Sequence, residues 1–146
     1  IAASAAKRAA ATGGAGGGLR MRYMGATPDK FSRTGSEVVN RMRADGRIVG
    51  DGPLLRGNPN NLQLFDANGQ LITIDHTVDM AHQVDAVSWW NEAGRFYGPK
   101  APEVRSFMLD SDNYILQQSS INRSAGAKLG QTYQPPVSPD FTILKR

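Results

Sequence analysis

The sequence predicts an α+β fold, with short helices set around a β-hairpin and one further strand. Three observations lead there. Two alternating stretches, 62–65 and 70–74, flank Asn68-Gly69, the dipeptide that best supports a tight hairpin turn. Apolar residues recur three or four positions apart in Val38, Val39 and Met42, and again in Val84, Val87 and Trp90, the spacing of a one-sided helix. No apolar stretch reaches the roughly 18 residues that a membrane span takes, so no membrane insertion is expected of this domain. At 146 residues the chain is long enough for one hydrophobic core.

The elements follow in order. Residues 1–18 are almost entirely Ala and Gly, have little to bury, and read as a flexible linker in which the run 13–18 breaks any helix. The chain opens without Met and reads as part of a longer polypeptide, leaving 19–146 as the folded domain. Thr34-Gly35-Ser36-Glu37 has the spacing of a capping box, with Thr34 as the cap, and Gly46 stops the helix that follows. Residues 50–61, rich in Gly, Pro and Asn, read as a loop ahead of the hairpin. A helix is expected after His82, with Val84, Val87, Trp90 and Asn91 spaced along it and Gly94 as its stop, and a shorter one behind Pro102, since proline is tolerated in a first turn. If 79–85 is helical as well, Asp79, His82 and Asp85 lie close to one face. Residues 110–113 form a turn, 114–118 a strand, and Ser119 or Ser120 caps a last helix towards Leu129. The tail from Gln134 holds three prolines and is expected to run extended over the surface.

Composition excludes several chemistries. There is no cysteine, which removes disulfides, thiolate zinc sites and a cysteine nucleophile. The formal net charge is +4, and it is unevenly spread. Residues 1–50 carry nine Lys and Arg against three Asp and Glu, a balance suited to a polyanion. Arg41, Arg43 and Arg47 lie along the first helix and just beyond it, where they are candidates for gripping a phosphate backbone.

The densest ionisable group is Asp75, His76, Asp79, His82 and Asp85, which includes both histidines. Neutral imidazole can take a proton from water near neutral pH, and carboxylates can hold a hard cation. The same residues also suit a capped helix start with an exposed histidine, and composition leaves both open. A second group, Asn113-Tyr114 and Asn122-Arg123-Ser124, flanks a strand and opens a helix. Asparagine there can orient a histidine or ligate a metal, and arginine can hold a phosphate; turn and cap chemistry is the alternative. Trp90 and Phe107 suit a core, while Phe96-Tyr97 carry the chemistry to stack on bases.

Asp79-Met80-Ala81-His82, continued by residues 83–91, then Gly98-Pro99-Lys100-Ala101-Pro102-Glu103-Val104-Arg105, then Asn113-Tyr114 through Asn122-Arg123-Ser124, resembles the HNH/endonuclease VII toxin nucleases of the Gly-His…Glu type. These are the C-terminal tips of Rhs, type VI and other polymorphic toxins. The resemblance covers roughly residues 25–136. It implies a ββα-metal (HNH, His-Me finger) core with additional helices and a β-hairpin. It makes His82 the general base, Asn113 the orienting asparagine, Glu103 the signature glutamate, and Asp79 and Asn122 the metal ligands. Arg123 and Arg105 become phosphate clamps. Two positions depart from the pattern: Ala81 replaces the glycine before the histidine, and the last helix lacks its histidine ligand. An oxygen-rich ligand set then favours Mg²⁺ or Mn²⁺ over Zn²⁺.

The function implied is non-specific hydrolysis of DNA by an antibacterial effector delivered into the cytoplasm of a target cell. Its partners would be DNA, an acidic cognate immunity protein, and an N-terminal delivery scaffold. Two other readings remain: a nuclease acting on RNA, and a non-catalytic nucleic-acid- or protein-binding module.

Overall fold

The computed structural model describes residues 15–137. The fold is mixed α and β, with five helices and two small antiparallel sheets among the described residues. The chain divides into two compact units. A sheet unit takes Pro28–Gln83 and Asp110–Asn122. A helical unit takes the chain up to Thr27, Val84–Leu109, and the chain from Arg123 onward. The single domain expected from 19 onward is thus built from two interleaved units, each with its own core.

After α1 (Ala15–Tyr23), which belongs to the helical unit, the chain enters α2 (Arg33–Ala44) of the sheet unit. The cap is Ser32, two residues before the expected Thr34. Its backbone is extended, and its hydroxyl accepts the Gly35 N–H at 3.1 Å. Thr34 is instead buried inside the first turn, and Glu37 reaches back to Arg33 at 3.8 Å. Removing the cap by Ser32→Ala is expected to cost about 1 kcal/mol, read as a lower urea midpoint at unchanged slope. The expected stop at Gly46 is present. Gly46 (φ +77°) donates to the Arg43 carbonyl, and Arg47 donates to that of Met42. This is a Schellman ending, which needs the left-handed conformation that glycine adopts without strain.

Three short strands follow, β1 (Ile48–Val49), β2 (Gln63–Phe65) and β3 (Leu71–Thr73), paired in the order β1-β2-β3. The hairpin was legible, and its turn is closed by a side chain. The Asp66 carboxylate accepts the N–H groups of Asn68 and Gln70 at 2.8 and 2.9 Å, while Gly69 takes φ +79°. The second sheet pairs β4 (Val78–His82) with β5 (Tyr114–Gln118), and β5 runs directly into α5 (Ser119–Leu129). The helical alternative for 79–85 is removed here: 78–82 is a strand, and the helix expected after His82, α3, begins at Ala86. Alternation explains it, since Val78 and Met80 enter the core while Asp79 between them does not. Val38, Val39, Met42, Leu62, Ile74 and Tyr114 complete that core.

The helical unit contains α1 (Ala15–Tyr23), α3 (Ala86–Glu92), α4 (Pro102–Leu109) and most of α5. Gly16–18 lie within α1, so the expected break at the glycine run is corrected for those residues; 1–14 fall outside the described residues. Pro102 opens α4 as expected. Trp90, fully buried, stacks on Tyr23 with ring centroids 4.7 Å apart, among Met24, Val104 and Met108. Trp89 stacks on Phe107 at 4.3 Å. The tail lies extended along α3. Gln131 bonds Ser88, Asn91 bonds Thr132 and Gln134, and the Trp90 indole N–H donates to the Gln134 carbonyl at 2.7 Å.

The tail also brings Tyr133 against this core, where burial pushes its phenol from 10.0 up to about 12, against the opposing pull of Arg20. The folded state therefore holds the proton after the unfolded chain has lost it. The sign follows: the contribution is complete below pH 10 and is lost as pH rises through about 12. Alkaline absorbance titration is expected to show one tyrosine ionising late, and Tyr133→Phe to remove that late component.

Candidate active site

His82 is the last residue of β4 and lies directly opposite Tyr114, the first of β5. One step outward, the Gln83 N–H donates to the Asn113 carbonyl at 2.7 Å. That bond puts His82 and Tyr114 at a non-hydrogen-bonded position, where facing side chains approach most closely. The phenol oxygen of Tyr114 is 3.0 Å from His82 Nε2, and the rings are 4.5 Å apart. Tyr114 is fully buried, whereas the His82 side chain is half-buried. The imidazole is thus held from inside the fold on one nitrogen. A ring whose Nε2–H donates to the phenol oxygen carries its lone pair on Nδ1.

The turn before Tyr114 is fixed from α2. Arg41 donates to the Ser111 carbonyl at 2.7 Å and to the Tyr114 carbonyl, and its guanidinium is 3.7 Å from the Asp112 carboxylate. Gln83 adds a side-chain bond to the Asp112 carbonyl at 2.9 Å. Within the turn, Asp110 accepts the Asp112 N–H at 2.9 Å. Asn113 therefore stands beside His82 through the backbone, at the end of a 3-10 turn (Ser111–Asn113).

The other expected residues divide between the units. Asp79 is on β4, but it stands three positions before His82, an odd offset, so the two project from opposite faces of the strand. The expectation that a helix puts Asp79, His82 and Asp85 on one face is corrected accordingly. Ala81 also projects away from His82, facing Ile115, and its methyl does not crowd the imidazole. Asn122 is half-buried in the first turns of α5, and Arg123 follows it on that helix. Glu103 and Arg105 belong to α4 in the helical unit. Arg105 donates to the carbonyls of Met24 and Ala26 at 2.7 and 3.1 Å, seated over Gly25. Arg43 is likewise engaged with the carbonyls of Gly50 and Gly52, while Arg47 is exposed past the helix end.

Two carboxylates of the acidic cluster perform local work. Asp75 accepts from Thr77 through the backbone N–H at 2.8 Å and the hydroxyl at 2.6 Å, and these bonds hold its carboxyl below its ordinary range. Asp85 caps α3 by accepting the Ser88 N–H at 2.9 Å. Among the described residues no three of His, Asp and Glu converge into a group able to hold a metal ion. Sequence reasoning assigned no role to Tyr114 and gave Arg41 to the substrate. The signal for Tyr114 was an aromatic ring with a polar tip, directly ahead of Ile115 and Leu116.

No family model, curated protein or solved structure matches this chain.

Proposed function

We propose that the chain is a divalent-metal-dependent endonuclease that hydrolyses DNA phosphodiester bonds, with His82 as its general base. One observation carries this reading. A half-buried histidine, held on Nε2 by a buried tyrosine, ends a strand whose partner runs straight into a helix. An antiparallel strand pair followed by a helix is the arrangement the ββα-metal nucleases use; here β4 pairs with β5, which runs into α5, with α3 and α4 inserted between the two strands, and that pairing supports assigning the core.

In this reading Nδ1 of His82 takes the proton from the attacking water. Tyr114 holds the ring against rotation, and Arg41 holds Tyr114 in turn. Asn113 supports the same turn through its backbone. Arg123 on α5 serves as the phosphate clamp, and Glu103, Arg105, Arg43 and Arg47 keep the supporting and phosphate-contact roles that the resemblance implies. Mg²⁺ or Mn²⁺ is the cofactor. Such ions need only one or two protein oxygens, the rest coming from water and phosphate, and the Asn122 amide oxygen suits that chemistry. Asp79 fits less well, because it leaves β4 on the face opposite His82. When bound, the cation neutralises charge on the scissile phosphate. The biological setting proposed is that of an effector tip, delivered by an N-terminal scaffold into a target bacterium and restrained in its producer by an acidic immunity protein.

The test is a plasmid-nicking assay. Supercoiled DNA is expected to be nicked in Mg²⁺ or Mn²⁺ and left intact in EDTA or by His82→Ala. Intact plasmid under every metal condition overturns the reading in favour of a non-catalytic binding module. Cleavage of RNA in a parallel incubation, with DNA left intact, transfers it to an RNA nuclease.

A further inference from the structure

One chemically distinctive segment lies outside the residues assigned to hydrolysis. Residues 95–100, Arg-Phe-Tyr-Gly-Pro-Lys, carry two aromatics and two cations with no carboxylate among them. Phe96 and Tyr97 are 52% and 51% exposed, so neither serves the core that claims Trp90. The segment is nevertheless fixed. Gly94–Phe96 forms a 3-10 turn, closed by Tyr97 and Gly98 N–H bonds to the Gly94 carbonyl. The tail clamps Arg95 twice, through its Nε to the Pro135 carbonyl and through its own carbonyl to the Val137 N–H, both at 2.9 Å or less. The Arg95 guanidinium lies 5.7 Å from the centre of the Phe96 ring. At the far end, the Lys100 N–H donates to the Tyr23 carbonyl at 2.7 Å, joining the loop to the end of α1 next to Arg22.

We propose that this loop is a binding site for unpaired nucleotides, with Phe96 and Tyr97 as stacking platforms and Lys100 as a phosphate contact. Every base has a π-face, so exposed aromatics bound by cations recognise single strands without reading sequence. Consecutive residues of a 3-10 turn project about 120° apart, so the two rings serve successive bases rather than pinching one. Two features favour nucleic acid over a protein partner. The patch carries only positive charge within the loop, with Glu92 the nearest carboxylate in the chain before it. And lysine, depleted at protein–protein interfaces, is well suited to phosphate. The anchors at Arg95 and Lys100 mean that little ordering remains to be done on binding. The site goes beyond the nuclease reading, since binding here does not depend on His82.

The experiment is fluorescence anisotropy of a 5′-labelled oligo(dT) twelve-mer with the whole chain in EDTA, where plasmid cleavage plays no part. Binding is expected, and Phe96→Ala and Tyr97→Ala are each expected to weaken it about fivefold or more. Lys100→Ala is expected to lower the salt slope by about 0.7, the value of one single-strand phosphate contact. Phe65→Ala removes an exposed phenylalanine from the sheet unit and is expected to change nothing. Equal affinity of the Phe96→Ala, Tyr97→Ala double variant and the parent overturns the proposal, as does an equal loss in Phe65→Ala. A parent that ignores the oligonucleotide also overturns it and leaves the patch to a protein partner. Because nicking of duplex plasmid is read separately, failure here is distinguishable from failure of the nuclease assignment.

Discussion

His82→Ala is expected to lower plasmid nicking by about 10²–10⁴-fold, the range that a positioned general base contributes. The loss is expected in kcat, with KM little changed, because in the proposed mechanism the ring acts on the water in the transition state rather than on bound DNA. The substitution also removes the hydrogen bond between Nε2 and the Tyr114 phenol oxygen, 3.0 Å apart, and a bond of this kind contributes about 0.5–1.5 kcal/mol, so the variant is expected to melt earlier as well. Tyr114→Phe separates the two effects. It keeps the imidazole and removes the phenol that bonds Nε2, and a smaller loss of rate is expected. Histidine nitrogen NMR reads the ring tautomer in each chain without any activity measurement. If His82→Ala retains wild-type nicking while folded, the assignment of the base is wrong.

Trp90→Ala is expected to destabilise the helical unit by about 3–5 kcal/mol, the range for removing a fully buried large aromatic. The indole is 0% exposed and stacks on Tyr23 within 11° of parallel. Its N–H is also the link to the Gln134 carbonyl, so the substitution releases the tail along with the core. Total stabilities of small domains are about 5–15 kcal/mol, so the loss is a large fraction of what holds the unit together. Trp90→Phe keeps most of the volume but not the donor and is expected to fall between. Urea unfolding followed by far-ultraviolet circular dichroism measures all three chains. A loss under about 1 kcal/mol for Trp90→Ala would falsify the account of this core.

Much of this fold could be read locally. The hairpin turn, the glycine stop of α2 and the Pro102 start of α4 depend on neighbours a few residues away. The failures depend on distant partners. Residues 79–82 are open to a helix in the sequence because their apolar and polar residues suit either period over so short a stretch. What makes them a strand is β5, supplied from the far side of Val84–Leu109. Arg41 looked available to phosphate because its carbonyl partners at Ser111 and Tyr114 lie more than a hairpin away in sequence. The cap moved from Thr34 to Ser32 because the Asp29 carbonyl receives the Ser32 hydroxyl at 2.6 Å and sets the entry of the chain. For the candidate site, His82 and Asn113 were legible as neighbours of a strand, but the tyrosine that touches the imidazole was not.

The interleaving of the two units has a kinetic consequence. Pairing His82 with Tyr114 closes a loop that contains all of Val84–Leu109. The entropy of that closure grows only as the logarithm of loop length, but it must be met before the β4–β5 contacts reward it. A segment in which α3 and α4 have already formed presents shorter, stiffer connections between its ends. Refolding should therefore bring up helical signal first and the His82–Tyr114 pair late, making the setting of His82 among the last parts of the molecule to assemble.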